Sequence, residues 1–281
     1  MCATCGCSDD TGTRITALPV GGPADEGSAS PEDHGHGHGH GHGHEHDHGH
    51  SHEHDHAHEV GGDEHAHTVL LEQRILAKND KLAEENRAWL GERAILAVNL
   101  MSSPGSGKTT LLERTVTDLN GEPPVAVIEG DQEGHLDARR IRRMGCEVVQ
   151  INTGSGCHLD AEMLRDGLAA LGPRQQSVVV VENVGNLVCP ALFDLGEGAR
   201  VVVMSVTEGA DKPTKYPHMF RAADLVLLNK MDLLPYLDFD VDHFTALTRR
   251  LNPEVTIQQV SATRGDGMPE FYAWLGARVS A

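Results

Sequence analysis

The chain has 281 residues, of which 39% are apolar and 4% aromatic, with 23 Lys/Arg against 42 Asp/Glu and a formal net charge of -19. An acid excess with so few aromatic residues argues against nucleic-acid binding, and no apolar run reaches the roughly 20 residues that a membrane helix needs. The opening MCATCGCSDD lacks the basic-then-apolar pattern of an export signal, so the chain is expected in the cytoplasm. There its six cysteines would stay reduced and serve as ligands or buried thiols rather than as disulfides.

Residues 1–33 combine a cysteine cluster with a Gly/Pro/Ser-rich linker. Cys2, Cys5 and Cys7 form C-x-x-C-x-C beside the α-amine. Those four soft or borderline donors suit square-planar Ni(II) or tetrahedral Zn(II). Residues 34–67 hold fifteen histidines, one at every second position from His34 to His58, interleaved with Gly, Asp and Glu. Neutral imidazole is the commonest protein ligand for borderline transition metals, and the acids add oxygen donors. With almost no apolar side chains this tract cannot build a core and is expected to be disordered. An expression tag would more usually be terminal and purely histidine. Thirteen of the acids and one basic residue fall within residues 1–67, so most of the charge excess sits in this tail.

A helix and connector are predicted over residues 68–94. The helix runs from about Thr68, as a possible cap, to Gly91, with Leu71, Ile75, Leu82 and Trp89 near one face. From residue 95 to 281 short apolar runs alternate with helical stretches. The runs are ILAVNLM (95–101), PVAVIEG (124–130), EVVQI (147–151), SVVVVE (177–182), RVVVMSV (200–206), DLVLLNK (224–230) and EVTIQQV (254–260). They are rich in Val and Ile and nearly unbroken, as strands buried on both faces are. Helices are predicted at about 108–120, 135–145, 159–171, 240–251 and 268–278. The fold class is therefore α/β: one doubly wound, mostly parallel sheet with ligands at the strand C-terminal ends.

Ser102-Ser103-Pro104-Gly105-Ser106-Gly107-Lys108-Thr109-Thr110 follows the first of these strands and opens a helix, the setting a phosphate-binding loop requires. Backbone N–H groups from Gly105 through Ser106 and Gly107 to Lys108, with the helix dipole, would bind phosphate oxygens. Lys108 would reach the β- and γ-phosphates and the Thr109 hydroxyl would ligate Mg²⁺, with Thr110 beside it. Ser102 stands where the GxxxxGK[ST] pattern has its first Gly, a modest strain if that position needs φ > 0. Asn229-Lys230-Met231-Asp232 ends an apolar strand far downstream. A carboxylate at Asp232 accepts from guanine N1–H and N2–H₂, donors that adenine does not offer in that arrangement, so GTP is favoured over ATP. Asn229 would buttress the loops, the Lys230 stem would lie along the base, and Ser261-Ala262-Thr263 resembles a further base-contacting loop.

Two acidic strand ends suit Mg²⁺ or water handling. Asp131, in Glu129-Gly130-Asp131, is the candidate for the Mg²⁺ shell or water activation, and Glu182 resembles a Walker B acid. Gly185 would bond the γ-phosphate through its N–H. Asn186 stands where Ras-like proteins place a Gln, so the water-activating group stays open and slow intrinsic turnover is expected. Cys157-His158 follows TGSG in one strand-end loop and Cys189-Pro190 lies in another. Both loops leave the sheet at the ligand-binding end, so Cys157, His158 and Cys189 are expected to meet, within one chain or across a subunit interface. A metal there would sit close to the loop that senses the γ-phosphate. Cys146 reads as a buried thiol.

Together MCATCGC, the histidine tract, SSPGSGKTT, EGDQ, TGSGCHLD, VENVGNLVCP, EGADKPTKYP and LNKMD resemble the hydrogenase nickel-incorporation GTPases of the HypB type, over nearly the whole chain. That resemblance implies a dimerising P-loop GTPase that delivers nickel to the large-subunit precursor of [NiFe]-hydrogenase with a small zinc-containing HypA-type partner. It implies a high-affinity nickel site at Cys2, Cys5 and Cys7. It also implies a weaker nickel or zinc site at Cys157, His158 and Cys189 in a GTP-promoted dimer, with Lys212 and Lys215 reaching the neighbouring subunit's nucleotide. Two alternatives are a urease accessory GTPase and a nickel storage protein. The first is expected to carry Cys-Pro-His, whereas Ala191 follows Cys189-Pro190 here and the histidine follows Cys157 instead.

Overall fold

The computed structural model describes residues 13–18, 62–132, 134 and 136–279, with side chains in the first helix from Gln73 onward. Cys2, Cys5, Cys7 and the histidines from His34 to His58 lie outside the described residues. Apart from the first turns of α1, the elements described below belong to one compact unit. In chain order the elements are β1 (Arg14–Leu18), α1 (Gly62–Gly91), β2 (Leu96–Ser102), α2 (Lys108–Leu119), β3 (Val125–Asp131), α3 (Leu136–Arg143), β4 (Glu147–Asn152) and α4 (Ala161–Leu171). They continue with β5 (Val178–Glu182), β6 (Ala199–Ser205), α5 (Lys212–Lys215), α6 (Pro217–Arg221), β7 (Leu225–Asn229), α7 (Val241–Leu251), β8 (Thr256–Gln259) and α8 (Met268–Val279). Among the described residues no helix is long and apolar enough to cross a membrane.

All seven predicted strands form, and the sheet order is β1-β4-β3-β5-β2-β6-β7-β8. Every pairing is parallel except β1 with β4. After the edge strand β1, the chain enters the middle of the sheet at β2, winds outward through β3 and β4, returns to β5, and then crosses to β6, β7 and β8. The reversal of winding leaves a crevice above the C-terminal ends of β2, β3 and β5, where ligands of such sheets bind. Burial on both faces explains the unbroken apolar runs. Val178 and Val180 join Val98, Val201 and Val203 in the layer under α2, α3 and α8. The intervening Val179 and Val181 pack in the layer that holds Leu164 and Leu168 of α4. Val202 and Met204 face Phe220 and Phe244 of α6 and α7.

The helix predicted from Thr68 begins instead at Gly62, so Thr68 lies inside it and does not cap it. Histidine-rich composition marks a segment's chemistry, not where a helix starts. The buried face of α1 also differs from the predicted apolar one. Ile75 is exposed, and Asn79, Ala83, Asn86 and Leu90 are buried. The two asparagines anchor the helix. Asn79 Nδ2 donates to the Asp194 carbonyl at 2.7 Å and Asn86 Nδ2 to the Leu195 carbonyl at 2.9 Å, while Asn79 Oδ1 takes the Ala161 N–H at 2.9 Å. The helix thus lies where a turn and the start of α4 need hydrogen-bond partners, each costing about 1–3 kcal/mol if left unmet. The turn approaches closely because residue 196 is glycine: a Cβ there would sit 2.3 Å from the Ala83 carbonyl oxygen.

Residues 14–18, read from composition as linker, form an edge strand whose Arg14 pairs with Asn152. It covers the open edge of β4, a common way of blunting an edge strand. Five residues alternate too briefly to stand out from a polar tail.

Candidate functional site

A cavity of about 550 Å³ opens at the C-terminal end of the sheet, walled by Pro104–Thr110, Glu129–Gln132, Asp137, Arg140, Glu182–Gly185 and Lys230. Its floor is the turn between β2 and α2. Gly105 and Gly107 take left-handed φ of 75° and 100°. A Cβ on Gly107 would also meet Asn229 Nδ2 at 2.6 Å, so glycine is required there for both reasons. Ser102 shows none of the strain its position suggested. It ends β2 outside the positive-φ region, its hydroxyl donates to the Ser103 carbonyl, and its Oγ accepts from Lys108 Nζ at 2.6 Å.

Lys108 is buried, and loss of hydration lowers its pKa although Glu182, Asp137, Glu129 and Glu208 oppose this. An ammonium in that position is suited to bind an anion. The Thr109 hydroxyl donates to Glu182 Oε1 at 2.8 Å. Burial pushes Glu182 up to about 7, against Lys108 and the Thr109 bond. It pushes neighbouring Glu129 up to about 9, with Glu182 and Asp131 adding to the effect. Asp131 reaches the cavity wall, but its oxygens accept the N–H groups of Gln132 and Gly134, each at 2.8 Å. An ionised carboxylate keeps further lone pairs for a cation. Buried carboxylates beside a threonine hydroxyl are the hard oxygen donors that suit Mg²⁺.

Asn229 clamps two loops: its Nδ2 donates to the Ser106 carbonyl at 3.0 Å and its Oδ1 takes the Ala262 N–H at 3.1 Å. Lys230, at φ 60°, sends Nζ to the Gly105 carbonyl at 2.7 Å. Asp232 Oδ1 accepts from Ser261 Oγ at 2.6 Å. Asp232, Ser261 and Ala262 are not part of the cavity wall; they lie in the loops beyond Lys230, and the Ala262 N–H is engaged by Asn229. Gly185 and Thr110 do line the cavity. Lys212 and Lys215 pair within their own segment, with Glu208 at 3.2 Å and Asp211 at 2.8 Å.

The loops after β4 and β5 bring Cys157, His158 and Cys189 together, with ligand atoms all within 4.8 Å of one another. The sulfurs of the two free thiols are 2.8 Å apart. His158 stacks on Phe193 with ring centroids 3.9 Å apart, and burial lowers its pKa, which favours the neutral imidazole that ligates metals. Two thiols and an imidazole are the donors that borderline metals take, and three protein ligands leave a coordination position open. Cys146 is elsewhere, buried at the start of β4 with its Sγ donating to the Val125 carbonyl at 3.2 Å; burial pushes its thiol up to about 12.

Two ties join this cluster to the cavity. The Thr153 N–H donates to the Asp131 carbonyl at 2.9 Å. The Leu159 N–H donates to Asn183 Oδ1 at 3.1 Å, directly after Glu182. Asn183 and Arg140 are site residues that sequence patterning missed. Arg140 lines the cavity but spends its guanidinium on Glu113, at 3.0 and 2.7 Å, and on Asp137 at 3.1 Å.

Residues 96–259 match the family model for the CobW/HypB/UreG nucleotide-binding domain. A hydrogenase maturation factor HypB from Azotobacter vinelandii is 55% identical over 214 residues, which are 76% of this chain and 71% of that one. The chain belongs to the HypB family of hydrogenase maturation factors. Its HypB fold is similar to the crystal structure of HypB from Archaeoglobus fulgidus, with a TM-score of 0.68 and 41% identity over 73% of this chain and all of that one. It is equally similar to HypB from Helicobacter pylori in complex with nickel, with a TM-score of 0.68 and 36% identity over 72% of this chain and 95% of that one. The domain is thus a P-loop GTPase domain of the HypB type, its phosphate loop and Asn229-Lys230-Met231-Asp232 standing at the sheet's ligand end.

Proposed function

We propose that this chain is a GTP-hydrolysing nickel metallochaperone that inserts nickel into the [NiFe]-hydrogenase large subunit during maturation. The observation that carries the proposal is the placement of Cys157, His158 and Cys189 on loops tied to Asp131 and Asn183, the two strand ends that wall the nucleotide cavity. A change at the γ-phosphate that shifts either strand end would move the loop carrying Cys157 and His158 against the one carrying Cys189. Nickel is the cargo, taken by soft and borderline donors; zinc suits the same three ligands. The nickel in the H. pylori HypB structure supports the choice of cargo.

In this reading Lys108 and the N–H groups from Gly105 to Thr110 hold the phosphates, Gly185 senses the terminal one, and Asp232 with Ser261 selects guanine. Thr109, Glu182 and Asp131 would hold Mg²⁺, which neutralises charge on the transferring phosphoryl group. Residues 1–33 contribute the Cys2/Cys5/Cys7 nickel site, residues 34–67 a storage tract, residues 68–94 a helical connector and residues 95–281 the GTPase. The protein acts in the cytoplasm as a GTP-dependent homodimer, with a HypA-type partner and the hydrogenase large-subunit precursor.

Deleting the gene tests the assignment. Hydrogenase activity should be lost, urease should be intact, and excess nickel should restore hydrogenase. Loss of urease alone would move the protein to urease maturation. Unchanged enzymes with reduced nickel tolerance would make it a storage protein.

A further inference from the structure

Glu129 has no part in the function proposed above, yet its position is unusual. It stands at the end of β3 directly beside Glu182, its register partner at the end of β5. The two side chains are 4% and 5% exposed. Both line the phosphate cavity, and each has one oxygen, Oε2, that accepts no hydrogen bond. The remaining Glu182 oxygen is engaged by Thr109. Two buried carboxyl groups side by side cannot both ionise without repelling each other and losing hydration, so an apolar pair of similar shape would serve the sheet better. A cation reverses that balance. Mg²⁺ keeps several of its waters when bound to protein, and those waters need acceptors.

We propose that Glu129 is an additional carboxylate of the divalent-cation site, accepting from a cation-bound water, so that the cation is held between the ends of β3 and β5. The inference rests on the GTP reading for the presence of that cation. It extends the reading because β3 leads directly to the metal cluster. Gly130, the next residue, packs so closely on Leu159 that a Cβ there would meet its side chain at 2.8 Å, and Leu159 follows His158. The Asp131 carbonyl then takes the Thr153 N–H. Fixing Glu129 therefore fixes the strand end on which the Cys157 loop hangs.

The test is fluorescent (N-methylanthraniloyl) GDP binding to the full chain across a Mg²⁺ titration. Glu129→Gln should need about ten- to a hundredfold more Mg²⁺ for the same gain in affinity over its own binding in EDTA, with Glu129→Asp falling between. Superimposable Mg²⁺ curves for wild type and Glu129→Gln would overturn the inference while leaving the GTP reading intact. Equal loss of binding with and without Mg²⁺ would also overturn it, by assigning Glu129 to the shape of the pocket. Wild-type protein that binds no guanine nucleotide would instead refute the GTP reading.

Discussion

Replacing Lys108 with alanine is expected to lower GTP turnover by at least about a hundred- to a thousandfold and to leave nickel binding by the nucleotide-free protein unchanged. Three cations line the cavity, and two are already engaged: Arg140 by Glu113 and Asp137, and Lys230 by the Gly105 carbonyl. Among the described residues Lys108 donates to the neutral hydroxyl of Ser102 and to no carboxylate, and burial has taken away much of its hydration. It is the charge preorganised for an anion, so its loss falls on the phosphates. Arginine should not substitute, because a planar guanidinium does not fit a site shaped for a compact ammonium. Phosphate release measures the first effect and a nickel titration the second. Unchanged turnover would remove the phosphate-loop assignment.

A comparably large effect is expected at Asp232. The wild-type protein should prefer GTP to ATP by roughly 10⁴-fold, the discrimination reached when a site is built to hydrogen-bond a group that the competitor lacks. The carboxylate is oriented in advance by Ser261 Oγ at 2.6 Å, and the left-handed turn at Lys230 directs the chain into the short 3₁₀ segment that carries it. Asp232→Asn should erase most of that preference and favour xanthosine triphosphate, whose 2-carbonyl accepts where guanosine's 2-amino group donates. Competition binding with the three nucleotides reads this directly. If Asp232→Asn kept its preference for GTP, base recognition would lie elsewhere.

Much of the scaffold was legible because its physics is local. Strands buried on both faces are written as runs such as SVVVVE, and a glycine turn between strand and helix announces phosphate binding. The meeting of Cys157, His158 and Cys189 was also legible, since parallel strands send their following loops to one end of the sheet. Features that depend on distant partners were not. Asn79 and Asn86 look like surface residues of α1 until the unmet groups at residues 161, 194 and 195 are in place. Arg14–Leu18 becomes a strand only against the open edge of β4. The strain suggested at Ser102 does not arise, because the left-handed positions fall at Gly105 and Gly107. Glu129 gains meaning only from its register with Glu182.

The central claim is that nucleotide state controls the metal cluster. Its most direct test is nickel binding and release by a chain carrying Cys2→Ala, Cys5→Ala and Cys7→Ala, compared in GDP and in a non-hydrolysable GTP analogue. Affinity or release rate should differ between the two states by about 5- to 150-fold, the usual range of coupling between sites. Titrations and release curves that superimpose in the two nucleotides would contradict the claim and leave a GTPase and a metal site that share a fold without communicating.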